Sequence, residues 1–252
     1  MSSPWLAGAR PRSKSTPSIL VVAAALVPLM GARSAAASPP PPDLMGRMAA
    51  YAAGFEAMRN RASFALDGRM ETLDRSGQPD GLKVMQARVE GDGRESRFVV
   101  VKYTEDGDDK TADAQDKARE RADERKAHPE KKRIRIPTLA AEQARYVFDE
   151  VEVDPTDPSR VRIAFVPREP AEDTIEGSAW IDARTGAPIS AGFKISKTPA
   201  FVDYVHVTLE FGARTELGAA VSRVVFDGGG AFLFFHKRFH GSATLSGYRI
   251  VP

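Results

Sequence analysis

The side chains able to do chemistry are few, and their spacing works against it. Of the four histidines, His128, His206, His236 and His240, only the last two are near neighbours in the chain. They sit four apart in a segment whose alternation predicts a strand, which separates them by about 13 Å at about 3.3 Å per residue. Ligands of one zinc each lie about 2 Å from it, so this pair cannot share a metal on a strand. Glu105-Asp106-Gly107-Asp108-Asp109 is acidic enough to attract calcium. It lacks the alternate-residue ligand spacing, however, and position twelve counted from Glu105 is Asp116 instead of a bidentate Glu. Gly228-Gly229-Gly230 has no following Lys-Ser/Thr, and it predicts a hairpin turn and not a phosphate cradle. No G-x-S-x-G elbow occurs, and the absence of cysteine removes thiol nucleophiles, zinc thiolates and disulfides. The expectation is a protein without catalytic residues, metal or cofactor.

What the chain does offer is apolar side chains in strands. Ala231-Phe232-Leu233-Phe234-Phe235 points large groups to both faces of a sheet, and Val205, Val207, Leu209 and Phe211 are opposed by Val202 and Tyr204. A sheet solvated on one side should alternate cleanly. Two explanations stand: the protein covers both faces with its own elements, or a greasy cavity between sheet and helix takes lipid or acyl chains, since ligand pockets are concave and mostly apolar. Strand parity selects Phe64, Leu66, Phe165, Phe193, Leu209, Phe211 and Phe234 as the lining of such a cavity.

The elements that must position these residues follow from periodicity. Asp43 stands where an N-cap belongs, and Leu44, Met48, Tyr51, Phe55 and Met58 recur at spacings of four and three on one helical face. From Ser63 the period changes to two. Ser63 to Asp74, Leu82 to Glu90 and Arg94 to Tyr103 read as three antiparallel strands, the first roughly 40 Å long. Strand patterns resume at Arg145–Val153, Arg160–Pro167, Thr174–Asp182, Pro188–Ser196, Val202–Phe211, Ala220–Asp227, Ala231–Phe239 and Gly241–Val251, separated by Asp, Gly and Pro turns. The fold class is therefore mainly β with helices, an α+β arrangement. About eleven strands form one large curved antiparallel sheet, which must curl, and the first helix lies in its concave face. Between them, residues 104–133 break the pattern. From Glu105 to Arg133 there are ten acidic and nine basic side chains and no aliphatic residue larger than alanine, which predicts a solvated, partly helical insertion. Its other reading is an arm that docks an envelope protein through its charge stripes.

The start of the chain carries an address. Arg10, Arg12 and Lys14 precede an apolar run from Ile19 to Met30, and Ala35-Ala36-Ala37 supplies the small residues of a signal-peptidase site. The run of 12 residues is short of the roughly 20 that cross a bilayer. The expected organisation is a signal peptide at 1–37, a Pro-rich spacer at 38–42 and one domain at 43–252. The mature protein is then soluble in the periplasm, monomeric, and not lipid-anchored, for want of a cysteine to acylate. The leader's four basic residues turn the whole-chain net charge of +2 into −2 for the remainder, which argues against nucleic acid as a partner.

Trp180-Ile181-Asp182-Ala183-Arg184-Thr185-Gly186-Ala187-Pro188, followed by Phe193, resembles the aromatic-hydrophobic-Asp, turn, Gly-x-Pro hairpin of the family of the periplasmic lipoprotein carrier LolA and its receptor LolB. The opening helix followed by Ser63-Phe64-Ala65-Leu66-Asp67-Gly68 agrees with that pattern, and the order of elements matches over residues 43–252. The resemblance implies an open half-barrel of about eleven strands around helices, with an interior that receives the acyl chains of lipids or lipoproteins in trafficking to the outer membrane. The same fold also serves as the sensory domain of regulators of envelope-stress sigma factors, so the alternative it implies is an interaction module with no carrier activity.

Overall fold

The helix-forming pattern after the Pro-rich spacer produces α1, Pro42–Met58, in the computed structural model of the chain. Residues 38–74, 76–128, 134–198, 202–216, 218–232 and 235–251 are described; the leader expected at 1–37 and Phe234 lie outside them. Asp43 is not the N-cap. Pro41 holds that place with Pro42 following, because proline's fixed φ and missing N–H suit the first turn of a helix. Asp43 falls within that turn and pairs with Arg47 at 2.8 Å. Leu44, Met48, Ala52 and Met58 are the buried face of α1.

The strands are β1 (Ala62–Leu73), β2 (Pro79–Gly91), β3 (Ser96–Glu105) and β4 (Asp108–Asp109), then β5 (Tyr146–Val153), β6 (Arg160–Pro167), β7 (Ile175–Asp182), β8 (Pro188–Ile195) and β9 (Val202–Glu210). A small hairpin of β10 (Ala213–Thr215) and β11 (Gly218–Ala220) precedes β12 (Arg223–Phe232) and β13 (Phe235–Ile250). Helices α2 (Thr111–Ala127) and α3 (Ala140–Gln143) lie between β4 and β5. Eleven strands form one open antiparallel sheet in the order β4-β3-β2-β1-β13-β12-β9-β8-β7-β6-β5. The first and last long strands pair along their length, from Ala62↔Ile250 to Leu73↔Arg238, and so join the two meanders into one sheet.

Paired residues share a face, so the ladders sort the side chains. Tyr146, Val161, Ile163, Phe165, Ala179 and Ile181 face α1 and form its core with Leu44 and Met48. The opposite face carries cross-strand ion pairs, among them Lys194–Glu176 at 2.6 Å and Arg162–Glu152 at 3.0 Å. Val202, which simple alternation assigns to the face opposite Val205, returns to the same one through a register shift between Gly229 and Gly230.

The triple glycine is not a hairpin. Gly228, Gly229 and Gly230 lie inside β12, and Phe239 and Gly241, which the turn pattern assigns to two strands, belong to the single strand β13. The reason is packing. A Cβ on Gly228 would come within 2.3 Å of the Phe239 ring, and one on Gly229 within 2.8 Å of Tyr204. The glycines make room for rings that lie across the strand.

The charged insertion is also more than solvated chain. Helix α2 runs beside the free edge of β3: Thr111 Oγ1 accepts from the Tyr103 amide at 3.0 Å, Gln115 Nε2 donates to the Val100 carbonyl at 3.0 Å, and Lys126 meets Glu95 at 3.2 Å. Ala114 and Ala118 are half-buried on the same side, where a larger side chain would hold the helix off the strand. An uncovered strand edge pairs with other chains, and β3 exposes Phe98, Val99 and Val101. At the far edge, the Glu150 amide of β5 donates to the Ser38 carbonyl at 2.7 Å. The double variant Thr111→Ala/Gln115→Ala removes hydrogen bonds of about 0.5–1.5 kcal/mol each. Sedimentation velocity should show it forming larger species than the parent as concentration rises; unchanged sedimentation would mean that α2 does not guard β3.

Candidate functional site

The site begins with the hairpin that joins β7 to β8. The Asp182 carbonyl accepts from the Gly186 amide at 2.7 Å, and its carboxylate from the Arg184 amide at 2.9 Å. Hydrogen bonds from the Arg184 side chain hold the Asp182 carboxyl below its ordinary range. Gly186 has φ +74°, and a Cβ there would approach the Arg47 carbonyl carbon to 2.4 Å. The turn therefore lies directly against the backbone of α1, and Arg47 Nε secures it by donating to the Ala183 carbonyl at 2.9 Å. Farther along the helix, Phe55 meets Phe211 edge-on at 6.4 Å and the Tyr51 hydroxyl donates to the Ala219 carbonyl. Burial raises the Tyr51 phenol to about 12, so it stays protonated and engaged with that carbonyl.

Between these two anchor points α1 and the sheet do not close completely. A cavity of about 190 Å³ remains. Its floor is Phe165, Ile175, Ala179, Ile181, Ala191 and Phe193, and its helix wall is Met48, Tyr51, Ala52 and Phe55. Leu209, Phe211 and Pro188 close one side, and Ile134, Ile136 and Thr138 the other, with Arg135 at the rim. Almost every lining atom is apolar. The cavity exceeds the engineered void of about 150 Å³ that takes up benzene, so it has room for a ligand group of that size.

The 134–138 segment is held in place by charge. Glu142, buried in α3, accepts from Arg135 at 2.7 Å and from Arg145 at 2.9 Å, and Arg145 reaches Asp173 at 3.0 Å. Burial pushes the Glu142 carboxyl up, but the two guanidinium hydrogen bonds outweigh it and leave it below its ordinary value. Gln143 Nε2 bridges the Thr138 carbonyl at 2.9 Å and the Met45 carbonyl of α1 at 3.2 Å.

Four of the residues selected by parity, Phe165, Phe193, Leu209 and Phe211, meet in this cavity. Phe64 and Leu66 do not. They lie on β1, flanked by β13 and β2, where Phe64 stacks on Tyr248 at 4.8 Å. Parity identified their face correctly but not their distance from the helix, because β1 is four strands away from β8. The sequence reading missed Ile134 and Ile136, which follow a charged run and belong to no periodic element, and Ala179 and Ala191, whose small side chains leave the space open.

Three of the polar candidates, Asp106, Asp109 and His206, make structural contacts. Asp106 Oδ1 accepts from the Leu82 amide at 2.6 Å and Asp109 Oδ1 from the Thr111 amide at 2.9 Å, so these carboxylates shape turns. His206 Nδ1 lies 3.6 Å from Asp227 on the outer face. Among the described residues, no group of three His, Asp or Glu side chains could hold a metal ion.

No family model and no curated protein matches the chain. Among solved structures it aligns with a LolA superfamily protein from Nitrosomonas europaea at 8% identity, over 82% of this chain and 94% of that one, with a TM-score of 0.36. It also aligns with a chain of the MucA/MucB complex of Pseudomonas aeruginosa at 15% identity, over 83% and 98%, with a TM-score of 0.22. At these identities and TM-scores the likeness says nothing of ligand or partner.

The Glu142 cluster gives the site a pH dependence whose sign is set by the depressed carboxyl. A folded-state value below the ordinary 4.5 adds stability that is present above 4.5 and is lost as pH falls through the folded value. Glu142→Gln should cost about 1–3 kcal/mol at neutral pH. Urea denaturation should show the gap between parent and variant shrinking as pH falls below 4.5; a gap of constant size would mean that Glu142 is not held ionised by its arginines.

Proposed function

We propose that this protein binds the alkyl chain of a lipid, or the acyl group of a lipoprotein, in the cavity between α1 and strands β6–β9, and does so without catalysis. The observation that carries this reading is a void of about 190 Å³ lined by Met48, Phe55, Ile181, Phe193 and Leu209. Dispersion contacts grow with the number of atoms that touch, so a concave apolar wall of this kind offers an alkyl group contacts that water cannot match. Burying each methylene contributes up to about 0.8 kcal/mol. The leader pattern at 1–37 supports an exported, periplasmic protein, where alkyl binding would serve lipid or lipoprotein traffic of the envelope.

Displacement of a fluorescent fatty acid tests the reading. Palmitate should compete for the parent protein, and Leu209→Glu should weaken that competition at least tenfold, because a carboxylate beside the chain is poorly solvated there. Leu209 is only half-buried, so the new carboxylate can reach water when the cavity is empty and the variant should keep its near-UV circular dichroism. Absence of any binding by the folded parent would favour the alternative, an envelope interaction module that works through its outer surface and the charged α2.

A further inference from the structure

Many of the surface arginines meet a carboxylate, as Arg69 meets Glu71 at 2.6 Å and Arg97 meets Glu90 at 3.5 Å. Two that border one open cleft do not. The cleft, of about 500 Å³, lies between Arg214, Thr215 and Glu216 of the β10–β11 hairpin and Tyr248, Arg249 and Ile250 at the end of β13. Among the described residues, neither the Arg214 nor the Arg249 guanidinium has a hydrogen-bond or ion-pair partner, and Glu216, the one carboxylate of the cleft, pairs with neither.

Both walls are fixed. The hairpin is tied to α1, because the Tyr51 hydroxyl donates to the Ala219 carbonyl and Thr215 Oγ1 lies 3.6 Å from the Met58 sulfur. The end of β13 is tied down where the Val251 amide donates to the Arg61 carbonyl at 2.9 Å and Arg61 Nε to the Val251 carbonyl at 2.8 Å. Between these anchors β13 bulges. Gly247, at φ +66°, and Tyr248 stand opposite Phe64 alone, between the pairs Ala65↔Ser246 and Ser63↔Arg249. A bulge of this kind re-aims the side chains that follow it. Tyr248 stacks on Phe64 at 4.8 Å and donates its hydroxyl to the Val221 carbonyl at 2.7 Å, so it offers the cleft a neutral ring.

A guanidinium presents a planar fork of donors that matches two oxygens of one anion. A carboxylate has only two oxygens and is satisfied by a single fork. A phosphate monoester has three terminal oxygens and carries a charge of about −1.5 to −2 at neutral pH, which suits two forks at once. We propose that this cleft binds a phosphate monoester, with the Arg214 and Arg249 guanidiniums donating to its terminal oxygens and with Tyr248 and Ile250 beside its organic group. The site is separate from the cavity under α1 and does not depend on the alkyl reading. A soluble phosphate ester and the headgroup of phosphatidic acid present the same chemistry to it.

Titration of the full chain with phenyl phosphate, followed through the arginine Nε–H signals by nuclear magnetic resonance, tests the site. The Arg214 and Arg249 signals should shift saturably, and Arg214→Gln and Arg249→Gln should each weaken binding at least fivefold. Both side chains are exposed and unpaired, so the variants should keep the parent's melting temperature. Benzoate, a carboxylate on the same ring, should bind the parent at least fivefold more weakly than phenyl phosphate. Absence of saturable shifts in the parent, affinity unchanged in both variants, or equal binding of benzoate overturns the proposal. Cosedimentation of the parent, but not of the double variant, with phosphatidic acid vesicles and not with phosphatidylcholine vesicles assigns the phosphate to a lipid headgroup. Phenyl phosphate binding without cosedimentation assigns it to a soluble ester, and either result supports the site.

Discussion

A single helix of 17 residues, about 26 Å long and roughly 10 Å across, has to cover a sheet of eleven strands that is roughly 50 Å wide. It cannot. The helix seals one part of the inner face, over β5–β7, and beyond that seal the same apolar face continues half-exposed across β9, β12, β13 and β1. The cavity lies where the seal begins to fail. Its position is set by two anchors on α1, the Gly186 turn against Arg47 and the Phe55–Phe211 and Tyr51–Ala219 contacts farther along the helix.

The same economy governs the edges. A sheet built by pairing β1 with β13 gains width but stays open, so β5 and the part of β3 beyond its two-residue pairing with β4 are left as edges. Charged α2 covers one through side chains that hydrogen-bond to strand backbone, and Ser38 meets the other at Glu150. On the outer face Lys194–Glu176 and Arg162–Glu152 pair across strands, and Arg162 also lies 6.0 Å from the Trp180 ring. These groups stabilise a solvated sheet surface and leave the distinctive chemistry of the molecule on its apolar side.

Much of this was legible in local pattern. The face of α1 followed from the spacing of Leu44, Met48, Phe55 and Met58, and the strands from alternation, because both depend on which side chains must leave water. The expected open sheet of about eleven strands around the first helix is the observed architecture, although the strand boundaries differ. Illegible features depend on long-range contact. Gly228–Gly230 resembles a turn until the rings of Phe239 and Tyr204 are brought over it, and Pro41 displaces Asp43 as cap because proline needs no side-chain hydrogen bond to begin a helix. The alanine face of α2 has no periodic signal strong enough to announce β3 as its partner. Parity placed Phe64 and Leu66 on the right face, but only the strand order shows that they lie far from Phe193.

The central claim is that an alkyl chain occupies the space between α1 and the sheet. Intermolecular nuclear Overhauser effects from ¹³C-labelled palmitate to the methyl-labelled protein test it most directly. Contacts are expected from the chain terminus to the methyl groups of Ile175, Ile181 and Leu209, all in the cavity wall. Contacts confined to the exposed Val99 and Val101 of β3, with none to those three residues, would contradict it.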